Sequence, residues 1–260
     1  MANVNKAMKK HAAEQAARSP PAQPAVAVPR GAPQAAPSAA GPAQLYRPPL
    51  GRCARNLVIP YDPAGRIAEE YRALRDNLCR QFRDKKFCIL VTSAEPHDGK
   101  TVTCLNLAFA LAEDRDRRTV VVDCNLRQPQ VAALLRTAVT PGVADVLRRG
   151  ATLADVTWNT IAPNLFAIPA GRATAYEVCE LLRSPALDDV VADLRHRFDY
   201  VLLDSPPIRI APDVGFLGRA ATQALLVVRL HKTPRHSVSK AIALLHAANI
   251  TPLGLALTCQ

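Results

Sequence analysis

The chain contains no Cys-x-x-Cys pair. Its seven cysteines (Cys53, Cys79, Cys88, Cys104, Cys124, Cys179 and Cys259) are odd in number and scattered. That pattern argues against a zinc site and against a disulfide framework. Most of them lie in apolar runs and read as small core residues in a reducing compartment. No apolar run approaches the roughly 18 residues a bilayer span requires. Residues 1–30 lack the apolar segment of a signal peptide. The expectation is therefore a cytoplasmic protein, brought to the inner face of the plasma membrane by a partner. Aromatic residues make up only 5% of the chain and do not interleave with the basic ones, so nucleic-acid binding gains no support. No internal repeat of solenoid length is present.

What is abundant is unevenly placed. Residues 1–60 carry eight Lys/Arg against a single acid, Glu14, whereas the remaining residues are only mildly basic. Between about residues 19 and 49, Pro, Ala and Gln dominate and large apolar residues are scarce. Such a segment cannot bury enough surface to offset its ordering entropy. Residues 1–61 are thus expected to form a disordered basic tail, able to touch an anionic membrane weakly. A folded domain is expected over residues 62–260, beginning near Asp62. Ile67, Tyr71, Leu74 and Leu78 recur at helical spacing and predict an amphipathic helix over 65–82. Strands are expected at 87–92, 119–123, 165–168, 200–204, 224–230 and 253–257. Helices are expected at 101–114, 129–137, 143–149, 186–197, 212–220 and 235–248. The strands are continuous apolar runs, as in an α/β, doubly wound, mainly parallel sheet with helices on both faces. Ligands of such sheets bind beyond the strand C-termini.

One loop carries the chemistry. The apolar run Phe87-Cys88-Ile89-Leu90-Val91 leads into Ala94-Glu95-Pro96-His97-Asp98-Gly99-Lys100-Thr101, and a helical stretch follows from Val102. Strand, Gly-Lys-Thr loop and helix form the phosphate cradle of a nucleotide triphosphate site. Backbone N–H groups and the helix N-terminus face the anion, Lys100 reaches the outer phosphates, and Thr101 offers a hydroxyl to Mg²⁺. Glu95 through Val102 are the expected nucleotide-binding residues. Ala94 stands where the general pattern has Gly.

Two further strands end in acids. Thr119-Val120-Val121-Val122-Asp123 is followed by Cys124-Asn125-Leu126-Arg127-Gln128-Pro129, and Tyr200-Val201-Leu202-Leu203-Asp204 by Ser205-Pro206-Pro207. A lone strand-end Asp is often a helix or turn cap. A pair beside a phosphate loop reads instead as groups that hold Mg²⁺ and position a nucleophile.

These three segments resemble the Walker A, A′ and B motifs of the bacterial tyrosine kinases, the cytoplasmic P-loop kinases of capsule and exopolysaccharide synthesis. Glu69-Glu70-Tyr71-Arg72-Ala73-Leu74-Arg75 resembles that family's Glu-x-x-Arg-x-x-Arg oligomerisation helix. Pro141-Gly142-Val143-Ala144-Asp145-Val146-Leu147, Ile168-Pro169-Ala170-Gly171 and Glu180-Leu181-Leu182 resemble its mid-domain. The resemblance spans about residues 62–260. It implies ATP and Mg²⁺ as cofactors, with Lys100, Asp123 and Asp204 as catalytic residues and Thr101, Asp123 and Asp204 at the metal. It gives Asp123 the proton of an incoming tyrosine hydroxyl. Glu69, Arg72 and Arg75 would join copies into a ring, and a membrane polysaccharide chain-length regulator, supplied as a separate protein, would be the partner.

The chain also departs from the pattern. Asn125 replaces a second Asp, which weakens the attraction for a hard cation. His97 replaces a Gly, at a strain cost if its φ is positive. Thr222 and Thr258 stand where relatives have Asp and Asn near the nucleotide base. None of the five tyrosines lies beyond Tyr200, so no C-terminal tyrosine cluster is expected to be phosphorylated; Tyr46 and Tyr61 are the expected acceptors instead. A second function is therefore open, an ATP-binding regulator of the membrane partner that transfers no phosphate. A third, a partition or division-site ATPase, is disfavoured because Glu95-Pro96-His97 contains no early loop Lys.

Overall fold

The computed structural model describes residues 53–210 and 213–259. The Pro/Ala-rich segment and Tyr46 lie outside the described residues. The elements in chain order are α1 (Val58–Tyr61), α2 (Arg66–Gln81), β1 (Phe87–Ser93), α3 (Lys100–Leu111), β2 (Thr119–Asp123), α4 (Val131–Leu135), α5 (Val143–Leu147) and α6 (Leu153–Val156). They continue with β3 (Trp158–Asn159), β4 (Leu165–Ile168), α7 (Ala175–Arg183), α8 (Ala186–Arg197), β5 (Tyr200–Asp204), α9 (Asp213–Ala220), β6 (Gln223–Arg229), α10 (Arg235–Ala247) and β7 (Thr251–Thr258).

The strands form one seven-stranded sheet in the order β3-β4-β2-β5-β1-β6-β7. All pairs are parallel except β3 with β4. Every residue of β1, β2 and β5 is buried, which explains why these strands read as unbroken apolar runs. Alternate residues serve opposite faces. Cys88, Leu90, Val120, Val122, Val201 and Leu203 pack beneath α5, α7, α8, α9 and α10. Phe87, Ile89, Val91, Val121, Tyr200 and Leu202 pack against α2 and α3. Helix α3 is apolar nearly all round and buried along its length. Each fully buried Leu here contributes about 1.5–3 kcal/mol. Because the six principal strands run the same way, the loops after β1, β2, β4, β5 and β6 gather on one rim of the sheet.

Some boundaries move. Folded structure is already present at Cys53 rather than beginning near Asp62. Cys53, Leu57 and Ile59 are buried, and buried Asn106 of α3 explains why. Its Oδ1 accepts the Val58 amide at 2.8 Å, while its Nδ2 donates to the carbonyls of Asn56 and Val102, each at 3.0 Å. A buried amide needs those partners, so the chain before α2 is held to α3. The amphipathic stripe of α2 starts at buried Ala68 and ends at buried Leu78, whereas Ile67 is 52% exposed. The expected helix at 129–137 contracts to α4, ended by Arg136 in the left-handed region.

Candidate active site

The loop between β1 and α3 is fixed from several sides. Gly99 has φ +91° and His97 φ +64°, so the condition under which His97 carries a strain cost is met. A Cβ on Gly99 would meet Thr258 only at 3.5 Å; conformation, not space, requires glycine there. Asp98 is buried, and its Oδ2 accepts the Glu95 amide at 2.9 Å while its Oδ1 accepts the Thr233 hydroxyl at 2.6 Å. Burial pushes the Asp98 carboxyl up. The Thr258 hydroxyl donates to the Asp98 carbonyl at 2.9 Å. Glu95 ion-pairs with Arg209, whose Nη1 also donates to Ser237 Oγ at 2.8 Å. A cleft of about 250 Å³ opens beside the loop, lined by His97, Arg229, Lys232 and Thr233 among others. Arg229 Nε in it is buried without an acceptor.

The two strand-end acids are adjacent. Asp123 and Asp204 are register partners on β2 and β5, and both are fully buried. Asp204 Oδ2 accepts the Thr101 hydroxyl at 2.7 Å, and its Oδ1 has no hydrogen-bond partner. Burial pushes the Asp204 carboxyl up strongly, and the neighbouring Asp123 charge adds to the rise. Asp123 is better satisfied. Its Oδ2 accepts the amides of Gln130 and Val131, both at 2.9 Å, and its Oδ1 that of Asn125 at 3.2 Å. Burial raises the Asp123 carboxyl as well, opposed by those three amides and by Lys100. Asp123 therefore caps the start of α4 in addition to standing at the site.

Asn125 turns into its own loop, where Nδ2 donates to the Gln128 carbonyl at 2.8 Å. An Asp could not make that bond, so the residue's local duty is to hold the turn. Arg127 Nε meets buried Asp213 Oδ2 at 2.6 Å, and its Nη2 lies 3.2 Å from Cys179 Sγ. This trio ties the β2–α4 loop to α7 and α9. Arg127→Ala is expected to cost about 2 kcal/mol by leaving the Asp213 carboxylate buried without its cation. Urea denaturation of the two proteins measures that difference.

Of the two positions where relatives have residues near the nucleotide base, one lies away from the phosphate loop and one against it. Thr222 immediately precedes β6, and β6 runs parallel to β1. Thr222 thus lies at the rim opposite the phosphate loop, where its carbonyl accepts the Thr251 amide. Thr258 braces the phosphate loop, as described above. The interface candidates Glu69, Arg72 and Arg75 engage their own domain. Arg72 Nη2 and Arg75 Nη1 bind the Glu113 carboxylate at 2.6 and 2.8 Å, and Arg72 also pairs with Glu69. The Arg72 guanidinium holds Glu113 below the ordinary carboxylate range. Sequence reasoning missed Arg209, Arg229 and Thr233. Arg229 had a legible signal, since it too is a charge ending an apolar strand.

No family model matches the chain. The tyrosine-protein kinase CpsD of Streptococcus pneumoniae serotype 4 (strain ATCC BAA-334 / TIGR4) is 30% identical over 175 residues, covering 66% of this chain and 75% of that protein. The chain belongs to the bacterial tyrosine kinase family. Among solved structures, the BceF tyrosine kinase domain is 27% identical with a TM-score of 0.69, over 77% of this chain and 81% of that one. The septum site-determining protein MinD of Pyrococcus horikoshii OT3, complexed with Mg-ADP, is a looser match: TM-score 0.57 and 25% identity, over 66% and 69% of the two chains.

For a bacterial tyrosine kinase the site passes a physical test of fit to a magnesium–nucleotide pair. Asp204 Oδ1 is a buried carboxylate oxygen without a partner, beside the Thr101 hydroxyl. An all-oxygen pair of this kind suits a hard divalent cation. The left-handed Gly99 before the first turn of α3 suits a phosphate.

Proposed function

We propose that this domain binds ATP with Mg²⁺ and transfers the γ-phosphoryl group to tyrosine hydroxyls, in the service of capsule or exopolysaccharide synthesis. The observation that carries the reading is the convergence of Lys100, Thr101, Asp123 and Asp204 on one rim of the sheet, in a chain of this family. Lys100 and the loop amides would hold the β- and γ-phosphates. Thr101 and Asp204 would hold the metal, which when bound neutralises charge developing on the phosphates. Asp123 would orient the tyrosine hydroxyl and take its proton; its carboxyl, raised by burial, is a better acceptor than an ordinary Asp. The partner is a membrane chain-length regulator acting in trans at the cytoplasmic face, and copies of the chain assemble through α2. Among the described residues no helix is long and apolar enough to cross a membrane, which is compatible with a separate membrane partner. Assembly through Arg72 and Arg75 requires their release from Glu113.

One observation favours a second reading, a nucleotide-gated regulator without phosphotransfer. Three backbone amides already occupy Asp123, and Asn125 supplies no second carboxylate. Purified protein with labelled ATP, Mg²⁺ and a random Glu/Tyr copolymer separates the two. Phosphotyrosine that disappears in Asp123→Ala supports the kinase. Saturable ATP binding with no phosphotyrosine supports the regulator.

A further inference from the structure

We propose that Tyr176 is a phosphoacceptor of this domain, modified by a second copy of the chain; the proposal rests on the phosphotransfer reading above. Among the described residues the other tyrosines are poorly placed. Tyr200 is 3% exposed and Tyr71 is partly buried against α3, while Tyr61 is 40% exposed but its hydroxyl is engaged, donating to the Cys53 carbonyl. Tyr176 is 95% exposed on the first turn of α7. Tyr176 joins Tyr46 and Tyr61, the acceptors expected from the sequence, as a residue that sequence alone did not single out.

Position supports the assignment as much as exposure. Helix α7 follows the loop leaving the C-terminal end of β4, and β4 lies beside β2 in the sheet. Its first turn thus stands on the rim that carries the phosphate loop, Asp123 and Asp204. Cys179, one turn on from Tyr176, contacts Arg127 at 3.2 Å and Asp213 at 3.4 Å, which anchors the helix to the Asp123 loop. A ring so exposed is not held by its own site, so a second copy must receive it. The local field accepts the new dianion. It arrives at the N-terminal turn of a nine-residue helix, four residues after exposed Arg172. Of the two acids on this helix, Glu177 is committed to the Thr174 amide and hydroxyl, each at 2.8 Å, and to Arg148, and Glu180 lies a full turn further on. In the transfer, the phenol oxygen bonds to the γ-phosphorus as the bond to the bridging β-phosphate oxygen breaks. ADP leaves with that electron pair, and the phenol proton passes to Asp123 of the copy that holds ATP.

The test uses the full chain with ATP and Mg²⁺, the Glu/Tyr copolymer as a separate acceptor, and mass-spectrometric mapping of phosphotyrosine. Phosphate on the Tyr176 peptide is expected, and Tyr176→Phe should lose most self-incorporated label while still phosphorylating the copolymer. A size-tagged Lys100→Met chain mixed with the unaltered chain should be labelled at its own Tyr176. Copolymer labelling with Tyr176 unmodified overturns the proposal alone, as does label that never reaches the tagged chain. No label on either acceptor overturns the phosphotransfer reading, and this proposal with it.

Discussion

Lys100→Met is expected to lower phosphotransfer to a tyrosine acceptor by at least about 10³-fold, equivalent to ~4 kcal/mol of transition-state stabilisation. The size follows from the surroundings of the amine. Lys100 opens α3 directly after the left-handed Gly99, at the end of the phosphate loop. Its charge already acts on three carboxyl groups, Asp98, Asp123 and Asp204, lowering each against the rise that burial imposes. Methionine fills the same stem volume and removes only the charge. Two consequences should then appear together. Phosphates lose the one side-chain cation of the loop, and the three acids lose their common counter-charge and bind protons more readily. Initial rates on a Glu/Tyr copolymer measure the first, and proton uptake on titration of the two proteins measures the second. A variant within tenfold of the unaltered rate would remove Lys100 from the phosphates.

Much of this arrangement was legible in the chain because the signals are local. Continuous apolar runs ending in Asp123 and Asp204 announced buried parallel strands with their polar ends on one rim, and the structure pairs those two residues directly. His97 standing where glycine is usual raised the question of a positive φ, and the structure answers it. What escaped was set by long-range partners. Nothing near Glu95 announces its ion pair with Arg209, 114 residues away. Nothing near Asp98 announces Thr233, 135 residues away. The duty of Asn125 depends on a carbonyl that only the folded turn brings round. Thr222 precedes a strand that the sequence already placed at 224–230 in a parallel sheet, so its position at the far rim was legible and the motif alignment obscured it. Helix α7 was overlooked although Thr174 and Glu177 form a capping box and Val178, Leu181 and Leu182 form its buried stripe. Residues 53–61 read as tail because a four-residue helix offers no periodicity.

Asp204→Asn is expected to act with opposite signs on stability and on ligand binding. Asp204 is a buried acid with one oxygen unpaired, next to a second buried acid. Its folded-state carboxyl titrates above its unfolded value, so the native chain binds more protons than the unfolded one across that interval. Stability therefore falls as pH rises through the interval and is regained as pH falls. Asparagine keeps the shape, can accept the Thr101 hydroxyl through its carbonyl, and leaves an unpaired N–H in place of an acid that folding forces to take up a proton. Removing the ionisable acid should raise neutral-pH stability by about 1–3 kcal/mol and flatten the pH dependence of Tm between about pH 5 and pH 8. The same change should abolish the Tm increase that saturating Mg²⁺ and ATP give the unaltered chain, because the orphaned oxygen is the group a cation would satisfy. Thermal scans of both proteins, with and without the magnesium–nucleotide pair, resolve the two effects. A variant less stable than the parent and still stabilised by the pair would show that Asp204 is a structural cap rather than a metal-binding group.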